Sequence, residues 1–244
     1  MFDSIQSAIK DIKAGKIVIV TDDEDRENEG DFVMAASCVT SKAINFMAPY
    51  GRGLVCMPVS NDIACGLNLH PMVMDNTENT GCNFTVSIDY KDTSTGISAS
   101  DRAKTIKKVL SKSAKPADFK RPGHVFPIIA QKGGVLVRAG HTEAATDLAK
   151  MAGLSPAGVI CEISKDDGEM ARLPDLQKIA KAHSLKIITI KDLIEYRRKT
   201  EKFVVKKVEI PLPTRYANFK VKAYENILDG KVHLALILGD VSTA

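Results

Sequence analysis

Seven carboxylates occupy ten consecutive positions in the segment DDEDRENEGD: Asp22, Asp23, Glu24, Asp25, Glu27, Glu29 and Asp31. Asp and Glu make up 30 of the 244 residues, so ten positions would ordinarily hold between one and two. Mutual repulsion keeps such a run out of any packed layer unless cations relieve it. The segment contains no apolar residue, yet it joins the β-branched run IVIVT at 17–21 to DFVMAA from Asp31 onward. Two buried strands therefore meet at an acidic loop, and loops carried on rigid strand ends are common places for binding and catalytic groups.

The rest of the chain reads as an alternation. Ile5, Ala8, Ile9 and Ile12 recur at helical spacing and stop at Gly15. A helix at about 40–50 and a strand at 53–59 follow, then an Asn-, Thr- and Gly-rich stretch at 66–83 that reads as a long mobile loop. After it come the strand FTVSI, the helix ASDRAKTIKKVLS, the strand HVFPIIA, the strand GVLVRA (134–139) and a helix at about 142–152. The strand GVICEI (158–163), the helix LPDLQKIAKAH and the strand LKIITI complete the set. This order predicts an α+β fold, a single sandwich-like α/β domain with a mixed sheet and surrounding helices. Near residue 200 the character changes to strands joined by turns, so the expected division is 1–200 and a short β-rich tail at 201–244.

Composition narrows the function. With 44% hydrophobic and 26% charged residues the chain can build a sizeable core. No apolar run reaches the roughly 18 residues of a membrane span, and the N-terminus, with Asp3 in place of a basic flank, lacks an export signal. Five cysteines without a CxxC suggest neither disulfides nor a thiolate zinc site, so a cytoplasmic location is expected. A net charge of +4 and an aromatic content of 5% argue against nucleic-acid binding, including by the lysine-rich segment 191–207.

Two constellations can carry chemistry. The acidic loop offers hard oxygen ligands of the kind Mg²⁺ takes, and Arg26 within it is a potential phosphate clamp; a solvated acidic turn is the plainer alternative. In RAGHTEAATDLAKMAG, Arg138 ends a strand, the chain passes through Ala139, Gly140 and His141, and a helix capped near Thr142 begins. Backbone N–H groups, helix dipole, guanidinium and hydroxyl converge there as an anion site of phosphate size, with a capped helix and an incidental histidine as the alternative. His124 in RPGHVFPI is a weak signal, whereas Glu162, in an otherwise apolar strand, either faces solvent or serves a site. Cys56 reads as a small core residue. Metal plus phosphate by themselves suit a Mg²⁺-dependent sugar-phosphate isomerase or aldolase equally well.

DDEDRENEGD, GLVC, TGISASDR, RPGHVFPI, RAGHTEAATDLAKMAG and GVICEI, in that order, resemble the 3,4-dihydroxy-2-butanone 4-phosphate synthases of riboflavin biosynthesis over about residues 3–200. The resemblance implies a homodimer that converts D-ribulose 5-phosphate to formate and L-3,4-dihydroxy-2-butanone 4-phosphate with Mg²⁺ or Mn²⁺. It places metal ligands on Glu27 and His141, and substrate contacts on Arg26, Glu27, Asp31, Arg138, Ala139, Gly140, His141, Thr142 and Glu162. A further acid falls on Glu29, a further substrate contact on Thr95, and the essential positions on His124 and Glu162. LPTRYANFKVKAYEN and HLALILGD in the tail resemble the opening of GTP cyclohydrolase II. With no cysteine after Cys161, that truncated stretch is expected to be non-catalytic.

Overall fold

The computed structural model describes residues 2–241. The chain clusters into two units, divided between Tyr196 and Arg197.

The first unit opens with α1 (Ile5–Lys13), capped by the Ser4 side chain, and the hairpin of β1 (Val18–Thr21) and β2 (Gly30–Ala35). Next come α2 (Ser41–Gly51), β3 (Cys56–Val59), α3 (Asn61–Gly66), β4 (Ile88–Tyr90), α4 (Ala99–Val109) and β5 (Phe119–Ile129). Then follow α5 (His141–Met151), β6 (Gly158–Glu162), α6 (Leu173–His183), β7 (Lys186–Thr189) and α7 (Ile190–Thr200), within which the division falls. The seven strands form one mixed sheet in the order β4-β5-β3-β6-β2-β1-β7. Pairs β1–β7 and β3–β5 are parallel and the others antiparallel.

Both faces of this sheet are covered, because the central strands are apolar at successive positions and cannot leave either face in water. Ile19, Phe32 and Met34 point to one side and pack with Ile44 and Met47 of α2, Ile106 of α4 and Leu176 of α6. Val18, Val20, Val33 and Ala35 point to the other, against Ile5, Ala8 and Ile12 of α1 and Ala144, Ala145, Leu148 and Ala149 of α5. The small side chains of α5 let it lie close: a Cβ on Gly158 of β6 would stand 2.7 Å from that of Ala145.

Two expected strands differ: FTVSI (84–88) makes only isolated bridges at Phe84 and Thr85, with β4 starting at Ile88, and the GVLVRA strand is absent. Residues 134–139 form a 3-10 turn at Gly134–Leu136 instead. Gly133 and Gly134 both take positive φ, and the Asp147 carboxylate accepts the Val135 N–H at 2.8 Å, so the backbone winds onto α5 rather than extending. The helix after it also begins earlier than the Thr142 cap suggested, with Gly140 at the N-cap and His141 in the first turn.

The second unit is a three-stranded antiparallel sheet of β8 (Val204–Pro213), β9 (Asn218–Asn226) and β10 (Val232–Ile237), with β9 central and its Val221 and Ala223 buried.

Candidate metal and phosphate site

The acidic loop is built on Asp22. Its buried carboxylate accepts the backbone N–H of Glu29 on Oδ1 (2.8 Å) and that of Glu27 on Oδ2 (3.2 Å), while Arg26 donates to Oδ2 at 2.7 Å. Asn28 supplies the left-handed residue, and Arg172, ahead of α6, donates to the Glu27 carbonyl at 2.8 Å. The run of like charges is thus folded around two guanidinium groups, which relieve part of its repulsion. Arg26 also bridges to Glu27 Oε2 at 2.6 Å.

Opposite the loop stands His141, in the first turn of α5. Its Nε2 lies 3.1 Å from the Val20 carbonyl, which can only accept, so the proton sits on Nε2 and Nδ1 keeps its lone pair. Nδ1 faces Glu27 at 4.0 Å and Asp31 at 3.9 Å. Burial lowers the pKa of His141 to about 4, leaving a neutral imidazole. Ligand atoms of Asp22, Glu27 and His141 all lie within 4.8 Å of one another. The sequence pointed to Glu27 and His141; Asp22 joins them because the turn folds back on it.

Asp31 and Glu162 are direct partners across β2 and β6, with side chains on the α5 face. Burial raises the Asp31 carboxyl well above the usual range, and the neighbouring Glu162, Glu27, Glu29 and Asp22 raise it further. Burial also raises Glu162, against the N–H of Leu54, which donates to Oε2 at 2.8 Å. Both carboxyls therefore hold a proton more tightly than a free acid would, the property expected of groups that take part in proton transfer.

Arg138 is held on three sides. It donates to the Thr80 carbonyl (2.8 Å), the Thr80 hydroxyl (3.0 Å) and the carboxylate of Glu143 (2.6 Å). Glu143 is 1% exposed and also accepts the Gln131 backbone N–H at 3.0 Å. Gly140 makes this packing possible, since a Cβ there would stand 2.3 Å from Arg138. The loop carrying Thr80 is internally organised: Glu78 accepts the N–H groups of Thr80 at 3.0 Å and Cys82 at 2.6 Å.

These groups line one cavity of about 200 Å³, with Arg26, Glu27, Glu29 and Asp31 on one wall, Glu162 on the sheet floor, and Arg138, His141 and Thr142 on the other wall. Ala139 and Gly140, the latter at the N-cap of α5, lead into His141 but do not themselves line it. Thr95, exposed in the segment before α4, and His124, half-buried on β5, do not line this cavity. His124 instead pairs with Asp89, Nδ1 to Oδ2 at 2.7 Å. Glu143, Thr80 and Asp89 were not visible as site residues in the sequence; Glu143 alone has a linear signal, five residues after Arg138, while Thr80 and Asp89 are brought to Arg138 and His124 from 58 and 35 residues away.

Residues 6–196 match the family described as 3,4-dihydroxy-2-butanone 4-phosphate synthase. The chain belongs to that family. It is 57% identical over 243 residues to the riboflavin biosynthesis protein RibBA of Bacillus cytotoxicus, and 56% identical over 241 residues to that of Bacillus subtilis. The alignments cover 100% and 99% of the chain, tail included, and the chain spans 61% of the length of each relative. Among solved structures, a two-domain synthase of the family from A. baumannii, RibBX, superposes with a TM-score of 0.87 at 48% identity, covering 97% of this chain and 70% of that one. A family member in complex with two magnesium ions superposes at 0.78 and 40% identity, covering 82% of this chain and 98% of that one.

Proposed function

We propose that this chain converts D-ribulose 5-phosphate to L-3,4-dihydroxy-2-butanone 4-phosphate and formate in riboflavin biosynthesis. The observation that carries the reading is one cavity in which an acid–histidine cluster faces an arginine-bearing helix N-terminus, in a chain of the synthase family. An isomerase or aldolase of the same ligand chemistry is disfavoured by that membership.

The donor set fits a hard divalent cation, Mg²⁺ or Mn²⁺: two carboxylates and a neutral imidazole within one coordination sphere's reach. The magnesium-bound relative supports this assignment. Glu27 and His141 would hold the ion, with Asp22 behind them, and the ion would supply Lewis-acid stabilisation of negative charge on the sugar oxygens.

The protein's own groups divide the remaining work. Arg138, the Thr142 hydroxyl and the first N–H groups of α5 bind the phosphate, with Arg26 as a second clamp. Asp31 and Glu162 hold and move a proton at the sugar carbons, where loss of the C3 proton opens the rearrangement that expels C4 as formate. We assign His124 the acid–base role remaining at the far end of the substrate.

The enzyme works as a homodimer in the cytoplasm. His124 and Thr95 lie outside the cavity of their own chain, which supports this reading, since a part in the reaction would require a second copy to carry them to it. No helix among the described residues is long and apolar enough to cross a membrane, and none of the five cysteines is in a disulfide. Residues 201–244 contribute no chemistry.

Incubation with ribulose 5-phosphate and Mg²⁺ should release formate, EDTA should abolish release, and Glu27→Gln and His141→Ala should each lose both turnover and Mn²⁺ binding. Undiminished turnover by the metal-free enzyme would defeat the metal assignment.

A further inference from the structure

We infer that Asp89 is the positioning residue of His124: its carboxylate fixes the Nδ1–H tautomer and turns the Nε2 lone pair outward, so that the imidazole acts first as a base. The inference rests on the acid–base role proposed for His124.

Asp89 grips one residue at two points. Its Oδ2 lies 2.7 Å from His124 Nδ1, and its Oδ1 accepts the His124 backbone N–H at 3.0 Å. A carboxylate only accepts, so the shared proton belongs to Nδ1, and in the neutral imidazole it is Nε2 that carries the lone pair. The double grip also sets the side-chain torsions, because backbone and ring are tied to the same rigid group.

Exposure is divided as an orienting pair requires. The Asp89 side chain is 9% exposed and that of His124 43%, so the carboxylate is inside and the free edge of the ring outside.

The backbone around the pair is shaped for it. Between β4 and β5 the register jumps from Ile88↔Val125 to Asp89↔Lys120, so residues 121–124 bulge from the ladder and His124 leaves it beside Asp89. Bulges of this kind re-aim a side chain next to a site. Two glycines let the chain close over the carboxylate. Gly96, at φ +90°, leaves no room for a Cβ, which would stand 2.1 Å from Asp89 Oδ2. A Cβ on Gly123 would stand 2.3 Å from the Asp89 amide nitrogen. Gly123 is held in turn by the Ser87 hydroxyl, which accepts its N–H at 3.1 Å. Strand, bulge and two close approaches thus converge on one carboxylate–imidazole contact.

Asp89→Asn is the discriminating change. The amide oxygen can still accept the His124 backbone N–H, whereas the amide NH₂ donates to Nδ1 and forces the proton onto Nε2, removing the lone pair. With ribulose 5-phosphate as substrate, kcat should fall by about 10²–10⁴-fold with KM unchanged, the loss typical of a misplaced general base or wrong tautomer. Long-range ¹⁵N–¹H correlation spectra of protein labelled at its histidines should show His124 protonated on Nδ1 in the wild type and on Nε2 in Asp89→Asn.

A wild-type His124 protonated on Nε2 would overturn the assignment even if the variant failed to fold. So would a folded Asp89→Asn with full kcat beside an inactive His124→Ala, an outcome that leaves the proposed reaction standing. Full turnover by His124→Ala would instead remove the acid–base role on which the inference depends.

Discussion

Glu143 is the strongest structural commitment of the site that makes no chemistry of its own. It is 1% exposed, and its two oxygens are spent on Arg138 at 2.6 Å and the Gln131 N–H at 3.0 Å. Glu143→Ala removes the partner of a guanidinium whose side chain is itself 14% exposed, and it orphans a backbone donor. Breaking a buried pair from one side costs about 3–5 kcal/mol. The orphaned N–H is part of that sum, at about 1–3 kcal/mol. For a unit of this size each kcal/mol lowers Tm by about 2–4 °C, so the expected fall is about 6–20 °C. Glu143→Gln keeps the shape and the acceptor for Gln131 but turns an NH₂ donor toward the Arg138 guanidinium where the second carboxylate oxygen stood, so it should cost about 1–3 kcal/mol. Urea unfolding gives the two stabilities, and steady-state kinetics of formate release should show Glu143→Gln raising KM for ribulose 5-phosphate with little change in kcat. An alanine variant within about 1 kcal/mol of wild type would show that Arg138 draws its position from Thr80 alone and would refute the argument.

Three further outcomes follow from the same geometry. Arg138→Ala should raise KM by the loss of a charged phosphate contact, whereas Glu162→Gln should lower kcat by about 10²–10⁴-fold; indistinguishable kinetic profiles would dissolve the division between binding and proton transfer. A chain ending at Thr200 should still release formate, since the cavity groups lie between Asp22 and Glu162; a folded, dimeric but inactive short chain would contradict this. Asp118 is held well below the ordinary carboxylate range by Lys91 (2.8 Å), by Lys108 (3.1 Å) and by the Lys115 N–H. Its depressed folded pKa means that its stabilisation is complete above the unfolded value and lost as pH falls below about 4. Asp118→Asn should therefore flatten the acid limb of a Tm-against-pH curve, and an unchanged limb would discount the contact.

What the sequence determined by itself is whatever local pattern controls. The apolar runs at 17–21 and 158–163 became β1 and β6, and the helical periodicities became α1, α2, α4, α5 and α6, because burial of a repeating apolar face decides such segments wherever they lie. The acidic loop and the helix N-terminus were legible as chemistry because charge density and Gly140–His141 are written in consecutive residues. The failure at 134–139 has the opposite origin: GVLVRA has strand composition, but Asp147, a turn further along α5, captures the Val135 N–H and winds the backbone up.

Only the tertiary structure decided which groups face one another. The register of β2 on β6 set Asp31 beside Glu162, 131 residues away in the chain, and the turn of the acidic loop set Asp22 near His141. The bulge in β5 sent His124 to Asp89 rather than to the cavity lined by Glu27 and His141. These pairings depend on strand order and on close backbone approach at Gly96, Gly123 and Gly140, which no local periodicity encodes. The residue types needed for the chemistry are thus present in the linear sequence, while the pKa of each and the partner that aims it arise from contacts made only when the sheet is assembled.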